Sequence, residues 1–174
     1  MLKFIAKVFG TKSEKDIKKV LPIVEKINAE FSALASISND QLRAKTEGVR
    51  QRIDEFLQDI DNQIEALHQR VADQPDLDIQ EKEDIFSEID NLEEKRNDEL
   101  EKVLMEVLPE AFAIVKETAR RFKENEVLHA TATTLDRQFA QEKEHVTVEG
   151  DEVSWKNAWI AAGAEMKWEM IHYD

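Results

Sequence analysis

The residue types that carry covalent or metal chemistry are sparse in this chain, and their spacings do not match the sites that such chemistry requires. The four glycines, at positions 10, 48, 150 and 163, lie too far apart to build a Walker A or a Rossmann phosphate-binding loop. No metal-ligand spacing joins the four histidines, which are His68, His129, His145 and His172. The chain has no cysteine, and no serine lies in a nucleophile-elbow motif. We therefore expect no catalytic residue, no metal site and no cofactor held by these 174 residues alone, and a small hydrolase is the least favoured reading.

Carboxylates are abundant, and most are expected on solvated helix faces. One group, Asp73, Asp76 and Asp78, surrounds Pro75. This group lacks the glycine and the final glutamate of an EF-hand loop, so the pattern favours a solvated turn over a calcium site.

The basic amino-terminal segment is the strongest functional signal. Residues 1–19 contain six lysines against two carboxylates, although the whole chain has a net charge of −14. Residues 2–9, LKFIAKVF, predict a short amphipathic helix that ends at Gly10. Two readings stay open: the helix packs on its own domain, or it contacts acidic lipid or a membrane partner. The residues that would make this contact are Leu2, Lys3, Phe4, Ile5, Lys7, Val8 and Phe9.

Composition also limits where the chain can act. The acidic balance argues against general nucleic-acid binding, which needs positive charge to displace counterions. The apolar runs are far shorter than the roughly 20 residues that span a bilayer, and no signal peptide is recognisable. Absence of cysteine is compatible with a reducing compartment. We therefore expect a soluble, cytoplasmic protein.

The elements that would position any site are mostly helices, because glycine and proline are rare and apolar residues recur every three to four positions. We predict a basic amphipathic helix over residues 1–12 and a second helix over 13–36, bent at Pro22. A long antiparallel helical hairpin is predicted over 38–107, and it begins with the capping box formed by Ser38 and Gln41. Asp78 and Glu81 would start its second arm.

The hairpin is predicted from two matching apolar seams. Arg96 interrupts the second seam. The hairpin would serve either as a rigid partner-binding arm or simply to bury its own seam. The first seam is Leu42, Thr46, Val49, Ile53, Phe56, Ile60, Ile64, Leu67 and Val71, and the second is Ile85, Ile89, Leu92, Leu100, Val103 and Val107.

Residues 108–174 are predicted to mix structural types. Pro109 would be the first residue of a new helix, and a short helix is expected around Leu135–Lys143. A small β-hairpin is predicted near residues 145–156, around Gly150 and Asp151. A tryptophan-rich stretch follows. The predicted fold class is therefore mainly α with a small β-hairpin.

Four stretches together resemble the amino-terminal region of the SecA family, the ATP-driven motors of bacterial preprotein export. They are the opening MLKFIAKVFG, the segment 37–53 (ISNDQLRAKTEGVRQRI), the segment 108–121 (LPEAFAIVKETARR) and the closing MIHYD at 170–174. The third is the most specific, because its Pro-Glu-Ala-Phe-Ala sequence is similar to the family's nearly residue for residue. Residues 54–104 and 122–165 resemble insertions found in longer family members.

The resemblance implies a function for the longer protein. It implies ATP-driven movement of unfolded preproteins through the SecYEG channel, with contacts to acidic phospholipid and between two copies of the chain. It implies a peripheral location at the inner face of the plasma membrane. Met170 and Tyr173 match residues that flank the adenine of ATP in the family, so ATP and Mg would bind the full-length protein, and the nucleotide-binding motor would lie beyond residue 174. Apolar surface is then expected to lie exposed around Phe112, Trp159 and Trp168. The alternative function is a free-standing helical adaptor that binds a partner through the 38–107 arm.

Overall fold

A computed structural model of the protein describes residues 12–161 and 163–167, and these residues are mainly α-helical. The predicted fold class is confirmed, including the long helical hairpin and the small β-hairpin. The helix predicted over residues 1–12 lies outside the described residues except for Lys12. The helices are α1 (Lys12–Leu34), α2 (Asn39–Asp73), α3 (Ile79–Glu124) and α4 (Thr134–Glu142). The strands are β1 (Val127–Thr131), β2 (Val146–Glu149), β3 (Glu152–Lys156), β4 (Ala158–Ala161) and β5 (Ala164–Lys167).

Local capping sets the starts of α2 and α3, as their sequences predict. At α2, the Ser38 hydroxyl accepts from the Gln41 amide at 3.1 Å, while the Gln41 side chain accepts from the Ser38 amide at 2.8 Å. At α3, the Asp78 carboxylate accepts from the Glu81 amide at 2.8 Å. Each pair supplies a partner to amides that the first helical turn leaves unsatisfied.

The prediction that a new helix starts at Pro109 is wrong, because α3 continues through this proline to Glu124. A proline inside a helix removes one backbone hydrogen bond and costs about 3 kcal/mol. Burial on both sides offsets this cost: Val107 is 4 % exposed and Ala113 is fully buried. Pro22 likewise lies inside α1, and the bend predicted there stays a prediction.

The described residues divide into two compact units. The sheet unit contains the residues up to Thr46 together with those from Pro109 onward, and the hairpin unit is Glu47–Leu108. The sheet unit has its own apolar core, because side chains from its helices and strands are at most 7 % exposed. These residues are Leu34, Leu42, Ala113, Ile114, Val146 and Val153.

A three-stranded antiparallel sheet in the order β1-β3-β2 organises the sheet unit. The predicted hairpin forms β2 and β3, with Val148 opposite Val153. Gly150 supplies the turn with a φ of 60°, which favours glycine. The edge strand β1 and a separate two-stranded sheet, β4-β5, were not predicted. The alternation of apolar and polar residues along these strands is too short to be recognised beside the strong helical periodicity of the chain.

The hairpin unit buries its own seam. The buried residues are Val49, Leu57, Ile60, Ile85, Ile89, Val103 and Val107. Two predicted seam positions are wrong. Thr46 is exposed, and Phe56 is 46 % exposed whereas its neighbour Leu57 is 2 % exposed. Heptad spacing alone does not tell which of two adjacent residues faces the other arm. An α-helix completes a turn every 3.6 residues, so its buried face drifts away from a strict repeat of 3.5. Of the helices in the described ranges, none has both the length and the apolar character that crossing a membrane requires.

Candidate functional site

The first two turns of α2 cover the outer edge of β1 with side-chain hydrogen bonds. The Asn39 amide donates to the His129 carbonyl at 2.8 Å. The Asp40 carboxylate accepts from the backbone amide of Thr131 at 2.8 Å and from its hydroxyl at 2.9 Å. An uncovered edge strand would leave such backbone groups free to pair with another chain. These contacts therefore fix the sheet on the helix and protect its edge.

Asp136, at the start of α4, is the centre of a buried polar junction. The Arg43 guanidinium donates to both carboxylate oxygens, at 2.9 and 2.8 Å, and also to the Thr131 carbonyl at 3.1 Å. The Trp155 indole donates to the same carboxylate at 3.0 Å. The Thr133 amide and hydroxyl donate to it at 2.8 Å each. One carboxylate thus joins α2, α4 and β3 through charge-assisted hydrogen bonds, the stronger kind.

This environment holds Asp136 ionised. Burial favours the neutral acid and would raise its pKa, because Asp136 is only 3 % exposed. Hydrogen bonds from Arg43 and Thr133 outweigh burial and lower the pKa to about 2. Asp136 therefore remains a structural anion near neutral pH and is a poor proton donor there.

A second buried junction links the end of α1 to α2 and α3. Glu117 is fully buried and accepts from Arg120 at 2.8 and 2.7 Å and from Arg121 at 2.7 Å. Arg121 also donates to Asn39 at 2.7 Å and to the carbonyls of Leu34 and Ile37 at 3.0 and 2.8 Å. The cation thus supplies a charged donor to carbonyls at and just after the end of α1, where the helical hydrogen bonds stop; the Leu34 carbonyl also accepts from the Ile37 amide at 3.4 Å.

The two arginines lower the pKa of Glu117. The hydrogen bond from Arg120 is the main cause, burial opposes it, and the bond from Arg121 adds to it. Glu117 and Asp136, the carboxylates that are buried in the described part of the sheet unit, are therefore both stabilised in their charged forms by arginine.

Between the two junctions lies a cleft of about 330 Å³. Its walls are mostly apolar, and its lining also contains Arg43 and Arg121, both already bound to carboxylates. The apolar lining is Leu42, Ile114, Phe122, Leu128, Ala130 and Trp155. The Trp155 and Phe139 rings pack edge to face, with their centroids 5.7 Å apart and their planes at 74°. The volume is at the lower end of the range for small-molecule pockets.

The structure brings together one serine, histidine and glutamate that resemble a hydrolytic triad in type alone. The Ser154 hydroxyl lies 3.1 Å from His129 Nδ1, and the Glu152 carboxylate lies 3.2 Å from the same nitrogen. A triad needs the nucleophile and the acid on opposite ring nitrogens, so that one orients the base while the other loses its proton. The arrangement therefore does not favour the hydrolase reading. Within residues 12–161 and 163–167, no group of acidic or histidine side chains is placed to hold a metal ion.

Comparison with known proteins identifies the family. A family model described as the SecA DEAD-like domain matches residues 5–140, which is most of the chain. The chain belongs to the SecA family. It is an amino-terminal segment of such a protein.

Relatives in the family match along nearly the whole chain. The protein translocase subunit SecA of Cytophaga hutchinsonii is 52 % identical over 174 residues, which is 100 % of this chain and 16 % of the relative. The same subunit of Amoebophilus asiaticus is 47 % identical over the same length and share. That of Flavobacterium psychrophilum is 44 % identical over 171 residues, 98 % of this chain and 15 % of the relative. No solved structure matches.

These matches extend the resemblance beyond the four short stretches. Residues 54–104 and 122–165, which look like insertions beside compact SecA proteins, lie inside alignments that cover all 174 residues. The hairpin unit and the small sheet are therefore part of what this chain shares with these SecA relatives. The chain spans about one sixth of the length of the curated relatives that it matches.

The site residues that the sequence predicts lie outside the described residues. They are Leu2, Lys3, Phe4, Ile5, Lys7, Val8 and Phe9 for membrane or partner contact, and Met170 and Tyr173 for adenine. Their roles stay predictions. Phe112, expected to be exposed, is 58 % exposed.

Neither buried junction is predicted from the sequence. The local part of one was readable, because Thr133 and Asp136 have the spacing of a capping box. The long-range part was not, because no local pattern links Arg43 to a carboxylate 93 positions away.

Proposed function

We propose that this chain is the amino-terminal part of a SecA protein-export motor that moves preproteins through the SecYEG channel with energy from ATP. The observation that carries the proposal is the match of residues 5–140 to the SecA DEAD-like domain, together with 52 % identity to a protein translocase subunit. The chain by itself would attach and brace the motor and would not hydrolyse ATP. ATP and Mg would bind the full-length protein, where Met170 and Tyr173 would flank the adenine.

The attachment role is proposed for the amino-terminal segment, at anionic lipid on the inner face of the plasma membrane or at the channel. Leu2, Phe4, Ile5, Val8 and Phe9 would insert shallowly, while Lys3 and Lys7 would meet lipid headgroups. The described part of α1 supports this, because its first half also presents exposed apolar side chains beside lysines. The apolar residues are Ile17, Val20, Leu21 and Val24, which are between 39 and 54 % exposed, and the lysines are Lys18 and Lys19.

Vesicle flotation tests this role. The chain should float with vesicles rich in anionic lipid at low salt and remain behind at high salt, since each lysine near the surface contributes about 1 kcal/mol. A variant with Lys3→Gln and Lys7→Gln should float less. The matched control is Lys95→Gln with Lys102→Gln, which removes two exposed lysines from the hairpin unit. Equal flotation of both variants would mean that the amino-terminal lysines do not contact lipid.

Contact between two copies of the chain is proposed for the exposed apolar face of α3 in the sheet unit. Phe112 is 58 % exposed and Val115 is 67 % exposed. Large apolar side chains that lie together on one exposed helix face are typical of interaction surfaces. In the full-length motor the same face would instead pack against the remainder of the protein.

The hairpin unit favours a second candidate function, an adaptor arm. Phe56 and Phe86 are 46 and 47 % exposed on its outer faces, although its seam is buried within the unit. A partner would therefore bind the outer faces. A pull-down that compares the chain with a Phe56→Ser, Phe86→Ser variant tests this function. Recovery of the same proteins by both would argue against it.

A further inference from the structure

The hairpin unit contains a charged residue at a seam position, and its partner lies on the opposite arm. Arg96 falls between Leu92 and Leu100 in the apolar repeat of α3. Its guanidinium donates to both carboxylate oxygens of Asp61 on α2, with Arg96 Nη2 at 3.2 Å from Asp61 Oδ2. Both side chains are partly exposed, at 35 and 43 %. The pair therefore crosses from arm to arm at the edge of the buried seam.

The apolar residues of the seam do not by themselves fix the register, that is, the position of one arm along the other. Its buried members are all Ile, Leu or Val, so a slip by one helical turn, about 5.4 Å, would again bring aliphatic side chains together. Polar positions are what distinguish one register from another in such seams.

The loop resists a slip in one direction. Moving Arg96 toward the level of Glu65 would either unwind the first turn of α3, which Asp78 caps, or extend α2 through Pro75. Proline disfavours that extension, because it has no amide hydrogen and clashes with the preceding turn.

The opposite slip is blocked by charge. It would place Arg96 at the level of Leu57, which is 2 % exposed, and would remove the guanidinium from Asp61. A charge buried against an aliphatic side chain without a partner is strongly unfavourable. The ion pair also lowers the pKa of Asp61, so the carboxylate stays charged near neutral pH.

We propose that the Arg96–Asp61 pair sets the register of the hairpin arms and excludes the one-turn slip that the loop permits. Gln63 to Asp59 at 2.9 Å and Lys102 to Glu99 at 2.7 Å join residues of the same helix, so these contacts stabilise one arm and do not distinguish registers. Lys45 to Glu110 at 3.5 Å and Arg121 to Asn39 at 2.7 Å also join α2 to α3, but they lie in the sheet unit, outside the Glu47–Leu108 hairpin unit.

Spin labels can measure the register directly, because the chain has no native cysteine. Cysteines at the exposed positions Gln69 and Glu101 place one label on each arm of the full chain. The labelled chain that keeps Arg96 and Asp61 should give one label-to-label distance. Arg96→Leu should add a second population longer by about 5 Å, one helical turn. The matched control is Lys102→Leu, which removes an exposed cation from the same helix and should leave one distance.

The reciprocal variant tests the pairing itself. Asp61→Arg combined with Arg96→Asp restores opposite charges across the arms and should restore one distance. A single unshifted distance in folded Arg96→Leu would overturn the proposal, as would a second population in Lys102→Leu. If Arg96→Leu loses its helical circular dichroism, Arg96→Gln replaces it and is judged by the same criterion.

Discussion

Arg43 and Asp136 lie 93 positions apart in the sequence and meet in a two-bonded ion pair at 2.8 and 2.9 Å. Asp136 is almost fully buried, while the Arg43 side chain is 37 % exposed. The pair joins the start of α2 to the small sheet and its helix α4. The stability of the sheet unit should therefore depend on the Asp136 carboxylate.

Replacing Asp136 with Asn should destabilise the sheet unit by about 2 kcal/mol, because hydrogen bonds to charged groups each contribute roughly 1.5 to 3 kcal/mol. Asparagine keeps the size but cannot accept from Arg43 at both oxygens. Thermal unfolding followed by Trp fluorescence measures the loss. Asp151→Asn is the control, since that carboxylate is fully exposed beside Arg137 and should change stability by less than about 0.5 kcal/mol. Similar losses in both variants would contradict the assigned role.

The stability contributed by Asp136 should depend on acid pH. Folding lowers its pKa from 3.8 to about 2, so the unfolded chain binds the proton more readily. The contribution is therefore complete above about pH 4 and is lost as pH falls through 2. The difference in unfolding midpoint between the native chain and Asp136→Asn should shrink over this window. A difference that stays constant from pH 5 to pH 2 would mean that folding does not shift this carboxyl group.

Removing Arg121 should loosen the joint between α1 and α2. Arg121→Ala loses the bonds to the Leu34 and Ile37 carbonyls and to Asn39, and it leaves buried Glu117 with Arg120 alone. We expect a loss of about 3 kcal/mol, typical of breaking a buried pair. Faster amide hydrogen exchange should appear at residues 34–40. Arg120→Ala is the control, because it removes a more exposed arginine and should leave amide exchange at residues 34–40 nearly unchanged. Faster exchange there in Arg120→Ala than in Arg121→Ala would exclude this role for Arg121.

Adjacent residues in the hairpin unit should differ sharply on truncation. Leu57→Ala should cost about 3 kcal/mol, within the usual range for a buried leucine, because Leu57 is 2 % exposed. Phe56→Ala should cost less than about 1 kcal/mol despite the larger side chain, since Phe56 is 46 % exposed. Urea unfolding of both variants checks the order. A larger loss of unfolding free energy for Phe56→Ala would mean that Phe56 is the buried seam residue, as the heptad pattern predicts.

The exposed face of α3 should affect association more than stability. Phe112→Ser should leave the unfolding temperature nearly unchanged, because the side chain is 58 % exposed. If two copies meet through this face, light scattering should show a concentration-dependent mass for the native chain and a lower one for the variant. A monomeric native chain at all concentrations would remove the proposed contact.

Local chemistry made much of the fold predictable. The capping residues Ser38 and Asp78 marked helix starts, and apolar spacing located the hairpin, because caps and amphipathic faces are encoded within a few neighbouring residues. Contacts between distant residues were not predictable. Arg43 finds Asp136, and Arg121 finds Leu34, only after the helices and the sheet assemble. Pro109 shows the same limit, since burial on both sides overrides a local signal to begin a new helix.

We propose that this chain acts as the amino-terminal segment of a SecA motor. The most direct test replaces the matching segment of the Cytophaga hutchinsonii protein, to which it is 52 % identical, with this chain. The measurement is ATP-dependent import of a preprotein into vesicles containing SecYEG, scored by protection from protease. We predict import comparable with that of the parent protein. A folded chimera that imports no more preprotein than the parent lacking the segment would contradict the claim.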